Sequence, residues 1–130
     1  MKINKENLLR MADYIETVPQ EKFNMEIYRT YDETTHECNS IGCVIGHCTI
    51  LDKRPLPKYV YGTINFRLWS KLFTGIESDD EWNYLFDISW HRTDNTPTGA
   101  AKRIRWFVEH GLPNDWEEQM FGEAPLPYNN

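Results

Sequence analysis

The sequence holds no run of about 18 apolar residues, the length a helix needs to span a bilayer. Its opening stretch, MKINKENLLRMADYIE, lacks the apolar core of a secretory signal. No membrane partner is expected, and the cytoplasm is the expected location. A basic excess is missing as well. Twenty acidic against fourteen basic residues leave a formal net charge of -6, a sign that repels phosphate backbones unless basic groups cluster. Nucleic acid is therefore not the expected partner. Internal repeats and low-complexity tracts are absent, which leaves an ordinary folded chain. Cysteine is scarce and confined: Cys38, Cys43 and Cys48 all fall within CNSIGCVIGHC, which also contains His47, with His36 two residues upstream. Outside that stretch nothing forms a catalytic signature, so no enzymatic residue is assigned.

What is present is bulk. The chain of 130 residues is 40% hydrophobic and 14% aromatic, with five Trp, seven Tyr and six Phe, too much large apolar surface for a disordered chain. That length suits one domain with a sizeable core. Pro and Gly punctuate a series of short helical patterns. Asn4 caps a first helix with Leu8, Met11, Ala12 and Ile15 on one face, ending before Pro19. Ser40 is placed to cap a second helix through Val44 and Ile45 towards Leu51. After a proline-bearing loop from Leu51 to Gly62, Asn65 starts a third, with Phe66, Trp69, Leu72 and Phe73 inward and Gly75 as its stop.

Ser78 and Glu81 form a capping box ahead of Trp82, Leu85 and Phe86. Thr96, Pro97 and Gly111 bracket a fifth helix whose apolar face is Ala101, Ile104, Phe107 and Val108. Asp115 caps a last short turn through Trp116 and Met120. The pattern predicts an all-α fold, a compact single domain of five or six short helices over residues 1–122, with room for a minor β-hairpin between Phe23 and Tyr31. Residues 123–130 are expected as an extended or frayed tail.

The cysteine stretch has three readings. Cys38, Cys43 and His47, joined by His36, supply zinc-type donors, although structural zinc sites usually pair two ligand hairpins across a longer loop. Alternatively, Cys43 at the start of the helix has its thiol pKa lowered and takes His36 or His47 as base, but no third orienting group accompanies them. The favoured reading is packing: Cys43, Val44 and Ile45 are small apolar residues, with Gly42 and Gly46 admitting a neighbouring backbone. On it no cofactor is expected, zinc being the alternative, and a Cys38–Cys43 disulfide is disfavoured in a reducing compartment.

Lys102, Arg103 and Arg105 are expected on the polar side of the fifth helix. With His91 and Arg92 before it they are candidates for a nucleotide-like or other small anionic ligand; the competing reading is a solvated face with ordinary surface pairs. The acidic run from Glu77 to Glu81 is read as a helix start favoured by the macrodipole. Aromatic residues exceed what a core of this size needs, so Tyr59, Tyr61 and Trp90 are expected to reach the surface as interface anchors.

CNSIGCVIGH, followed by SDDEWNYLF, TPTGAAKRIRWFVEHG and PNDWEEQMFG, resembles a loosely defined group of small uncharacterised bacteriophage and bacterial proteins, from about Asn4 to Gly122. The resemblance implies a phage or mobile-element source and a small accessory role inside the host cell, without a catalytic residue to transfer. The expected function is therefore a non-enzymatic accessory protein that binds and modulates a host protein. A small-ligand binder is the alternative, and a thiol- or zinc-dependent hydrolase the distant third.

Overall fold

A computed structural model describes residues 2–26, 43–53 and 63–129. Six α-helices form among them: α1 (Lys5–Ile15), α2 (Val44–Cys48), α3 (Thr63–Thr74), α4 (Asp79–Phe86), α5 (Pro97–His110) and α6 (Trp116–Met120). Short 3-10 turns lie at Gln20–Lys22, Thr49–Leu51, Ile88–Arg92 and Pro127–Asn129. The fold is all-α and the helices close into one compact unit. No helix among the described residues is long and apolar enough to cross a membrane. Residues 27–31 of the expected hairpin, and Ser40 as a cap, lie outside the described residues.

The centre of the molecule is α1 against α5, with α2 and α3 leaning on α1, and α4 on α5. Leu8, Met11, Ala12 and Ile15 meet Ala100, Ala101, Ile104 and Phe107 in one buried cluster. The helix starts are fixed by side-chain oxygens. Asn4 Oδ1 accepts from the Asn7 amide at 2.9 Å, Thr96 Oγ1 from Gly99 at 2.9 Å and Ser78 Oγ from Glu81 at 3.4 Å, as their cap positions predict. Gly75 ends α3 at φ 73°, and a Cβ there would stand 2.2 Å from the Lys2 carbonyl oxygen. Only glycine fits where the incoming chain crosses the end of α3 and Asn4 donates to the Thr74 carbonyl at 2.7 Å.

Four expectations are corrected. α2 begins at Val44, and Cys43 precedes its first turn in an extended conformation. α3 begins at Thr63, ahead of Asn65. Leu72 is 53% exposed, because at about 100° per residue the inward stripe of α3 runs through Phe66, Trp69, Ser70, Phe73 and Thr74 and leaves Leu72 outside it. Ser70 tolerates burial by donating to the Arg67 carbonyl at 2.7 Å and accepting from Trp82 Nε1 at 2.8 Å. The segment expected as a frayed tail instead folds back: its 3-10 turn lies on α5 and Leu126 packs on the core.

Candidate functional site

The five basic residues expected to share one anion site stand in separate surroundings. Arg105 bridges α5 to α1, donating to Asp13 Oδ1 at 2.8 Å and to Glu16. The hydrogen bond from Arg105 holds the Glu16 carboxyl below its usual range. This residue docks two helices. Lys102 is exposed on α5. His91 and Arg92 belong to the turn Ile88–Arg92, which borders a groove of about 370 Å³ together with Ser89, Thr93 and Phe121. Thr93 Oγ1 donates to the Met120 carbonyl at 2.7 Å, and this tie sets Phe121 across from the turn. Ile88 is 52% exposed and Phe121 59%, so two large apolar side chains flank the imidazole and guanidinium. His91 Nδ1 lies 2.8 Å from the Ile88 carbonyl oxygen, which fixes the ring.

Arg103 has left the polar side altogether. It is fully buried, with its guanidinium 3.9 Å from the centroid of the Trp90 ring. Trp90 is correspondingly no surface anchor: it is also fully buried, its Nε1 donates to the Tyr84 carbonyl at 2.7 Å and its ring meets Tyr84 edge-on. The cause is local. Asp94, four residues after Trp90, bonds from its amide to the Trp90 carbonyl at 2.8 Å and accepts from Thr96 Oγ1 at 2.7 Å. Its carboxylate occupies the space over Gly99, where a Cβ would come within 1.9 Å. One turn further along the same face stands Arg103, whose Nη1 is 3.7 Å from Asp94 Oδ2, beyond hydrogen-bond reach.

Around this cation stand Trp90, Asp94, Tyr84 and Tyr128. The Tyr84 and Tyr128 hydroxyls, Gln119 Oε1, Asp94 Oδ2 and all three Arg103 nitrogens are buried and make no hydrogen bond of good geometry among the described residues. Burial pushes both phenols up; Arg103 acts against this in each, and the neighbouring Tyr128 adds to the rise at Tyr84. Gln119 Nε2 donates to Asp115 Oδ1 at 2.6 Å, so Asp115 serves this group instead of capping α6 with its side chain. Position in the helix could have found Arg103: it lies three residues after Ala100 and four before Phe107, on the buried stripe.

At the cysteine stretch, Cys43 is 2% exposed and Cys48 fully buried. Burial pushes the Cys43 thiol up to about 11 against backbone amides of α2 that lower it, and pushes Cys48 well above the ordinary value. A lowered pKa at Cys43 is therefore corrected: desolvation outweighs the start of a five-residue helix. His47 Nε2 lies 2.7 Å from the Lys22 carbonyl oxygen. No group of three His, Cys, Asp or Glu side chains comes together as metal ligands among the described residues; His36, Cys38 and Gly42 lie outside them, as do Tyr59 and Tyr61. Among the described residues Phe121 is a large exposed aromatic ring, which the sequence reading missed. A single aromatic beyond a short helix carries no periodic signal. No family model, curated protein or solved structure matches this chain.

Proposed function

We propose that the protein is a non-enzymatic accessory factor of a phage or mobile element that acts in the host cytoplasm by binding and modulating a host protein. The observation that supports this reading is the groove at Ile88–Arg92, where Ile88 and Phe121 stand more than half exposed on either side of His91 and Arg92. Apolar side chains held by a helical turn and bordered by hydrogen-bonding groups suit a partner that inserts an apolar anchor flanked by acceptors. The net charge of -6 favours encounter with a partner surface that is basic around that anchor.

The test is a quantitative pull-down from bacterial lysate with wild type, Phe121→Asp, Ile88→Asp and, as a control on an exposed leucine elsewhere, Leu72→Asp. The expected outcome is one prey protein retained by wild type and Leu72→Asp and depleted at least tenfold by either groove variant. All four chains should give the same helical circular dichroism. Equal recovery of every prey by all four excludes the groove as the docking surface.

A further inference from the structure

We infer that the buried Arg103 centre is a binding site for a small oxyanion, a phosphate or carboxylate group, gripped by the edge of the guanidinium and by the Tyr84 and Tyr128 hydroxyls. It stands apart from the groove and does not depend on it. The geometry of the cation carries the inference. Trp90 takes one face of the guanidinium at 3.9 Å, which fixes its plane while leaving the edge, where all the N–H groups lie, free to donate. That planar fork matches two oxygens of a carboxylate or phosphate. Nε, Nη1 and Nη2 make no hydrogen bond of good geometry among the described residues, nor does the Tyr84 hydroxyl, while the Tyr128 hydroxyl interacts with the guanidinium. Buried donors left in this condition are rare in folded proteins, and here several converge.

The nearest carboxylate does not use up the cation. Asp94 Oδ2 is 3.7 Å from Nη1, and its other oxygen accepts from Thr96. The carboxylate lies against Gly99 in the first turn of the 14-residue helix α5, where the helix dipole offsets its charge. Arg103 forms an ion pair with Asp94, yet its N–H donors outnumber the acceptors that reach them, and an acceptor-rich anion answers that excess. We place access under the segment 123–129, which carries Tyr128 to the guanidinium. It rests on the rest of the molecule through Leu126, Tyr128 and the single turn Pro127–Asn129, and so slight an attachment opens more readily than the core helices.

The experiment is a titration of the full chain, labelled with ¹⁵N-arginine, with inorganic phosphate and separately with sodium acetate, following the Nε–Hε resonances. The Arg103 signal is identified by its loss in Arg103→Lys. A saturable shift of that signal with either anion is expected, and the one that saturates at lower concentration names the source of the oxyanion. Tyr84→Phe and Tyr128→Phe each remove one donor and little volume, and each should weaken the affinity about tenfold, the value of a hydrogen bond to a charged group. These two variants carry the test if Arg103→Lys fails to fold. No shift of the Arg103 signal at tens of millimolar of both anions overturns the inference. So does a response confined to Arg92 and the other exposed arginines, or an affinity unchanged in both phenylalanine variants.

Discussion

The Cys43 thiol is held at about 11 by its burial, and Cys48 behind it is raised further. The unfolded chain gives up these protons near the ordinary thiol value of 9.0 while the native state keeps them. Stability is therefore fully present below that pH and falls as pH rises through the interval to about 11. Two pH units at one site correspond to a loss of about 2–3 kcal/mol. Urea midpoints measured across that range should drop steeply for wild type and less steeply for Cys43→Ser, whose hydroxyl does not titrate there; parallel slopes would refute the assignment. At this scale Cys43 lies in the buried core, and the expected placing of Arg103 on the polar side and of Trp90 at the surface was wrong. An arginine looks like a surface residue when judged by type, and Trp90 was placed at the surface only because aromatic residues are numerous. The place of Arg103 on the buried stripe of α5 marks it as inward, whereas the Asp94 carboxylate against Gly99 one turn earlier is a contact no spacing announces.

At the scale of elements, α5 depends on Thr96 in two ways. Its hydroxyl accepts from the Gly99 amide and donates to Asp94 Oδ1, so one side chain both starts the helix and fixes the carboxylate beside Arg103. Thr96→Ala should cost about 1–2 kcal/mol, the upper part of the range for caps. Thr96→Ser should recover most of it, because the oxygen is retained. Denaturant unfolding of the three chains checks this, and an alanine variant equal to wild type would remove the cap from its assigned role. Helix ends were the most legible feature of the chain: Asn4, Ser78 and Thr96 cap where their spacing says, and Gly75 and Gly111 stop where expected. The errors arose where a side chain one turn away competes for the same atoms. Asp115 is drawn off by Gln119, and Ser70 and Thr74 take inward places on α3 because each finds a local acceptor.

For the whole molecule, an all-α domain could be read from the periodicity, because caps and apolar stripes are properties of neighbours in sequence. How segment 123–129 is disposed could not, because GEAPLPYNN has neither period nor cap. Its fate is settled by what α4, α5 and α6 leave uncovered. Leu126 closes the apolar core and the Tyr128 hydroxyl is buried beside Arg103, so this short segment completes both the packing and the polar centre. Removal of residues 123–130 should therefore lower stability by about 2 kcal/mol, roughly the burial of one large apolar side chain. It should also bring water to the Trp90 face of Arg103, and with it a red shift of the tryptophan emission in the folded state. A frayed tail makes the opposite forecast, with unchanged urea midpoint and unchanged emission. The pair of readouts separates the two, since lost packing alone moves the midpoint, whereas exposure of the Arg103 centre also moves the emission before any unfolding begins.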